Sequence, residues 1–292
     1  MNIKLVLLGM RPKTLAAAFV PPLLAQAYAS YEGLGMSVYT LYCLFLAIFL
    51  QIATNFYNDA VDSIKGADEK RVGPQRLGGQ FKVPAKQIFL VGHIFLILAF
   101  LCAVPIFLKG GLLYVFFGIL SAFLAYGYTG GPFPLAYLGL GELFVFIFFG
   151  HVATLGTYFL ISDKLDLNII LIASIVGFLS STLIGINNFR DRHNDKEVNK
   201  RTLATRMTEY QYLKLMDVFL FAPYIISFYF TIFEKLSFVV VLLAVGITHK
   251  IRFILRYHKD PTELNQALGL AGKQLIVFSI LFWLGSLWKS TL

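Results

Sequence analysis

Two stretches of the chain carry side chains able to hold a cation: "NFYNDAVD" over 55–62 and "NNFRDRHND" over 187–195. On a helix, Asn55, Asp59 and Asp62 fall at i, i+4 and i+7, and Asn58 and Asp62 are i, i+4 neighbours. In the second stretch Asn187, Asp191 and Asp195 fall at i, i+4 and i+8, with Asn188 three residues before Asp191. Each set aims several oxygens in one direction. Close carboxylates raise one another's pKa unless a cation sits between them. Oxygen ligands without His or Cys select Mg2+ or Ca2+, and Mg2+ takes one or two carboxylates and fills its shell with water and phosphate. Lys65, Lys70, Arg71 and Arg76 follow the first set; Arg190, Arg192, Lys196, Lys200 and Arg201 surround or follow the second. Carboxylates for a metal beside Arg and Lys for an anion describe a magnesium–diphosphate site. A solvated loop would account for the basic residues but not for the Asn/Asp faces.

The elements that position these residues are membrane spans. The 292 residues are 58% hydrophobic and only 14% charged, with a mean hydropathy of +0.72. Repeated apolar runs of about 20 residues indicate an all-α, multi-pass membrane protein. Nine spans are expected, at about 14–31, 37–57, 88–108, 110–127, 135–160, 168–188, 212–232, 236–250 and 266–288. Arg11, Pro12 and Lys13 interrupt the N-terminal run, which does not read as a cleavable signal. All of the 25 Lys and Arg residues except Lys109, Lys164, Lys235 and Lys289 fall on one side of this arrangement. That bias predicts a cytoplasmic membrane protein with its N-terminus inside, its C-terminus outside and both acidic stretches on the cytoplasmic face. The chain reads as one integral-membrane domain over 1–292. The matching polar ends of the second and sixth spans suggest two duplicated halves, about 1–134 and 135–250, plus a final helix.

A diphosphate at the lip of a helical bundle leaves the rest of its molecule pointing into the bilayer. With 29 Phe in the chain, the spans can line a cavity for an isoprenoid tail, which argues for a polyprenyl diphosphate donor. The net charge of +9 lies between apolar runs and reads as topology and anion binding, not nucleic acid. Cys43 and Cys102 sit inside apolar runs without metal or disulfide spacing. Glu142 and His151 lie in the fifth span; Glu142 is near its cytoplasmic end, and His151 reads as an interior histidine. A cation-coupled transporter is the rival class, but transporter sites lie near the midplane on broken helices, whereas both polar sets here lie at one interface.

These motifs resemble the UbiA superfamily of prenyltransferases. The family's NDxxD pattern stands here as Asn58-Asp59-x-x-Asp62, and its DxxxD pattern as Asp191-x-x-x-Asp195. Where many members carry a further Asp, this chain has Gly66 and offers Asp68 instead. "RPKTL" (11–15), "KGADEKRVGPQR" (65–76), "YTGGPFPLAYLGLGE" (128–142) and "NNFRDRHNDKEVNKRTLATR" (187–206) resemble the 1,4-dihydroxy-2-naphthoate prenyltransferases of menaquinone synthesis, with Thr208 where that group usually has Gly. The resemblance implies nine transmembrane helices around a central cavity and a Mg2+-dependent aromatic polyprenyltransferase. Its substrates would be a polyprenyl diphosphate and 1,4-dihydroxy-2-naphthoate, joined with loss of CO2 and a proton, in the lipid bilayer and with no protein partner. Asn55, Asn58, Asp59, Asp62, Asp68, Asn188, Asp191 and Asp195 would serve the metal, and Lys70, Arg71, Arg76, Lys200 and Arg201 the diphosphate. Tyr128 would cap the site, with Tyr126 its rival, and Arg11 and Lys13 would meet the acceptor. The residues by themselves leave 4-hydroxybenzoate, homogentisate or a chlorin open as acceptor.

Overall fold

The structure is a computed structural model that describes residues 1–66, 73, 75–131, 134–234 and 236–287. Among them there is no strand. After a short helix α1 (Ile3–Met10) come α2 (Ala16–Tyr31), α3 (Val38–Ile64), α4 (Ala85–Gly110), α5 (Leu112–Gly127), α6 (Gly141–Ser162), α7 (Leu167–Glu197), α8 (Glu209–Phe233), α9 (Ser237–Tyr257) and α10 (Leu264–Leu287). A helix occupies each of the nine expected stretches. Among the described residues seven of them, α3, α4 and α6–α10, are long and apolar enough to cross a membrane; α5 is apolar but shorter. The 16 residues of α2 include Pro21 and Pro22. α1 is an addition that the sequence pattern did not suggest.

The two motif helices outrun the bilayer. α3 has 27 residues and α7 has 31. At 1.5 Å per residue they are roughly 40 and 46 Å long, against a hydrocarbon core of about 30 Å. Their polar last turns therefore lie beyond the length that a hydrocarbon core needs. Local chemistry sets where these helices begin. Ser37 caps α3 by accepting from the Tyr39 N–H at 3.3 Å, and Asp166 caps α7 by accepting from the Ile169 N–H at 2.9 Å. α8 starts with a capping box between Thr208 and Gln211.

α7 is the most buried of the spans and packs on α2, α6, α8 and α10. The large apolar core forms around it, with Tyr158, Tyr212, Phe189, Phe230 and Phe278 fully buried. α3 instead packs chiefly on α4, with α5 beyond. The outer faces of α4 and α5 present Leu108, Leu112, Phe116 and Phe123, the side chains expected toward lipid. Polar groups collect at the two ends of the bundle. At the end away from the motifs Lys164 pairs with Glu32 at 3.1 Å and Lys109 with Asp163 at 3.9 Å.

α6 contains a π-helical turn over Phe146–Val152. Inside it His151 has Nε2 at 3.3 Å from Ser174 Oγ and Nδ1 at 3.4 Å from the Phe146 carbonyl. It is an interior histidine with local partners, as its position suggested.

Candidate active site

A cavity of about 310 Å³ runs into the bundle between α2, α3, α5, α6 and α7. Asn55 and Asn58 from α3, Tyr128 from the end of α5 and Asn187 from α7 line its polar mouth. The rest of its wall is apolar, including Leu46, Phe117, Phe144, Phe148 and Phe149. Both motif helices thus reach one mouth.

On α3 the i, i+4 spacing of Asn55 and Asp59 fixes a turn of the N-terminal segment. Asn55 Nδ2 donates to the Met10 carbonyl at 3.0 Å, while its Oδ1 accepts from Gln51 at 3.1 Å. One helical turn further on, Asp59 Oδ1 accepts from Arg11 and from Arg76. Arg11 has a left-handed backbone, φ 51°, at the junction between α1 and the 3-10 turn Pro12–Thr14. Arg76 is 7% exposed and also stands 3.8 Å from Asp62 Oδ2. The sequence pattern sets Asn55 and Asp59 among the metal ligands; in the structure their side chains hold the turn and two guanidinium groups. Arg11 lines the cavity, whereas Lys13 is exposed and does not.

The loop after α5 closes over the end of α3. Thr129 Oγ1 donates to Asn58, and the Thr129 carbonyl accepts from Lys65 Nζ at 3.0 Å. Lys65 also lies over the Tyr137 ring at 4.2 Å. Burial pushes the Lys65 ammonium pKa down; Asp62 opposes this and Lys200 adds to it. Burial pushes the Tyr128 phenol up, and the carboxylates of Glu142, Asp195 and Asp62 push it further. Tyr128 and Lys65 therefore feel charges from the ends of both α3 and α7. Tyr126, the alternative cap, is 42% exposed and packs on Tyr57 and Phe89 outside the cavity.

At the end of α7, Arg190 grips its neighbour Asp191 with two bonds of 2.8 Å and ties it to Asn265 of α10 at 2.8 Å. Asp195 is buried and pairs with Lys200 at 3.4 Å. Asn188 is buried and donates to Glu142 at 2.9 Å. Arg201 is exposed, and its carbonyl accepts from Arg206 at 3.0 Å. Gly139, at φ 75°, sits where an added Cβ would come within 2.9 Å of that Arg201 carbonyl, so the loop between α5 and α6 rests directly on the loop after α7. Asp68, Lys70 and Arg71 lie outside the described residues. Thr129 was not singled out from sequence, whereas Glu142 was placed near the cytoplasmic end of its span, where it could face the site, without a role. Thr129 follows Tyr128 in the "YTGG" stretch, but only the fold shows that it reaches Asn58.

Among the described residues no three His, Cys, Asp or Glu side chains converge on one point. The donors near the mouth are all oxygens, spread over two helix ends and interleaved with Arg and Lys. That set suits a hard cation that shares its shell with a phosphorylated ligand.

The site is an apolar cavity within a bundle of membrane-length helices, its mouth lined by Arg11, Asn55, Asn58, Tyr128 and Asn187 with the acidic ends of α3 and α7 nearby. The chain belongs to the UbiA prenyltransferase family, whose sequence model matches residues 18–284. It is 32% identical to the 1,4-dihydroxy-2-naphthoate octaprenyltransferase of Haemophilus influenzae, over 95% of this chain and 94% of that one. It is 30% identical to the enzyme of the same name from Escherichia coli, over 95% and 93%. The fold matches a UbiA homolog from Archaeoglobus fulgidus solved with DMAPP and Mg2+, with a TM-score of 0.63, 17% identity and coverage of 95% and 99%.

Proposed function

We propose that the protein transfers a polyprenyl group from its diphosphate to 1,4-dihydroxy-2-naphthoate, releasing CO2 and forming the demethylmenaquinol of menaquinone synthesis. The observation that carries this reading is the meeting of both polar helix ends at the one mouth of an apolar cavity. The names of the similar bacterial enzymes supply the acceptor.

Asn58 and Asp62 on α3, with Asn188, Asp191 and Asp195 on α7, are the residues to hold Mg2+. The cation, when bound, neutralises charge on the leaving diphosphate. Arg11 and Arg76, fixed by Asp59, and Lys65 and Lys200 donate to the diphosphate oxygens. Lys70, Arg71 and Arg201 belong to the same basic loops and add to that field. As the C–O bond breaks, its electron pair leaves with the diphosphate, and the allylic carbon becomes cationic. Tyr128 and the apolar wall keep water from this carbon. The electron-rich ring carbon of the acceptor then attacks it, and the carboxyl group on that carbon departs as CO2 when aromaticity returns. The membrane orientation proposed with this chemistry puts the mouth on the cytoplasmic side, where the basic loops lie.

Purified protein, Mg2+, octaprenyl diphosphate and carboxyl-labelled dihydroxynaphthoate test the reading. Label should leave as gas, and mass spectrometry should find the prenylated quinol. Label retained in a prenylated product, or prenylation of 4-hydroxybenzoate alone, would overturn the acceptor assignment.

A further inference from the structure

Glu142 is a buried carboxylate beside the site that the proposed reaction does not use. It stands in the first turn of α6 and is 2% exposed. Its Oε1 accepts from Asn188 Nδ2 at 2.9 Å and from the Tyr212 hydroxyl at 2.6 Å. Among the described residues its Oε2 has no hydrogen-bond partner. Its backbone carbonyl accepts from Ser181 Oγ at 3.1 Å, which ties the start of α6 to α7. A Cβ added at neighbouring Gly141 would come within 2.9 Å of the Tyr128 hydroxyl and 3.8 Å of Asn188 Nδ2. Tyr128, Asn188 and Glu142 therefore pack around a single glycine.

Stability does not account for this residue type. Burying a carboxylate with one oxygen unmatched is unfavourable, and an apolar core that replaced Glu142 together with its polar partners would avoid that cost. What Glu142 supplies is direction. A carboxylate only accepts, so it takes the Nδ2 end of the Asn188 amide. The Oδ1 end of Asn188 is then turned away from Glu142 and fixed there. Asp191 stands one helical turn further along α7, and Asp195 one turn beyond that.

We propose that Glu142 is a positioning residue that sets the Asn188 amide with its oxygen toward the cation–diphosphate locus. This rests on the reading of that locus given above. Partners behind a ligand that fix its orientation typically change metal affinity about 10- to 100-fold when removed.

The test is Mn2+ binding by the purified full chain in detergent with inorganic diphosphate present, read from the loss of the free Mn2+ EPR signal, alongside the melting temperature. Glu142→Leu, still folded at the assay temperature as its melting curve must show, should weaken Mn2+ binding about 10-fold or more. Glu142→Gln, whose carbonyl oxygen still accepts from Asn188, should stay within about 3-fold of the parent protein. Should the leucine chain not fold, Glu142→Met takes its place with the same expectation. Asp191→Asn is the control. If it loses Mn2+ while Glu142→Leu binds like the parent, the locus stands and the role of Glu142 is overturned. If Asp191→Asn also binds like the parent, the reading of the locus itself fails.

Discussion

Arg11 donates to Asp59 across 48 residues of sequence, and Arg76 donates to the same Asp59 oxygen. The Asp59 side chain is 2% exposed, and it holds Arg11 at the cavity mouth beside Arg76. An anion arriving there meets guanidinium groups already oriented, which lowers the entropy lost on binding.

Asp59→Asn should therefore raise KM for the prenyl diphosphate about 10-fold and leave the Mg2+ concentration for half-maximal rate near that of the parent. Asp62→Asn should do the reverse. The two are separated by titrating Mg2+ and prenyl diphosphate independently for each variant. A large rise in the Mg2+ requirement of Asp59→Asn would return Asp59 to the metal shell.

Turnover should need a divalent cation, and Mg2+ should suffice. The donors at the mouth are oxygens without His or Cys, a hard-cation set. Protein treated with EDTA should retain under about 1% of its rate, and added Mg2+ should restore it. Full turnover after EDTA would contradict the assignment of Asn58, Asp62, Asn188, Asp191 and Asp195.

Much of this arrangement was legible in sequence, and the reasons differ by element. Apolar runs set the helices, because backbone polar groups in lipid must be satisfied within a segment. The i, i+4 spacing of Asn55, Asp59 and of Asn187, Asp191 marked the two polar faces. The pattern could not show that Asn55 and Asp59 also reach the Met10–Thr14 turn and Arg11. That contact depends on where the Met10–Thr14 turn lands, between segments far apart in the chain. The same holds for Glu142, whose partners Asn188 and Tyr212 come from two other helices. The helices continue past the apolar runs, as the helical spacing over 55–62 and 187–195 implied. α3 runs to Ile64 and α7 to Glu197, because their last turns are held by protein contacts in place of lipid.

Tyr128 should act as a neutral hydroxyl throughout the working pH range. Burial and three carboxylates raise its pKa in the folded chain above the ordinary value near 10. A raised value means that the folded state holds the proton more tightly than the unfolded one. The associated stability is complete below about pH 10 and is lost as pH rises beyond that toward the folded pKa. Tyr128→Phe should lower the rate about 10-fold at every pH between 6 and 9 and keep the shape of the profile. An alkaline limb below pH 9 that vanishes in the variant would show that the phenol ionises within the working range.

Tyr114 should limit the length of chain that the cavity accepts. It lines the end of the cavity near Cys43 and Ile106, opposite the mouth at Asn58. Cys43 and Asn58 lie on one helix, roughly 22 Å apart at 1.5 Å per residue. The Tyr114 hydroxyl donates to the Gly156 carbonyl at 2.7 Å, so the ring is pinned across the gap between α5 and α6. A Cβ added at Gly110 would strike the same ring at 2.1 Å, which shows how closely the end of α4 packs behind it. Tyr114→Ala removes both the ring and its tether and deepens the apolar space. In competition between geranylgeranyl and octaprenyl diphosphate, the preference should move toward the longer donor about 10-fold, the scale on which an apolar pocket discriminates small changes in length. Tyr114→Phe keeps the ring and loses only the tether, so its preference should move by less. An unchanged product ratio in Tyr114→Ala, with the chain still folded and active, would mean that the tail leaves the cavity before it reaches Tyr114.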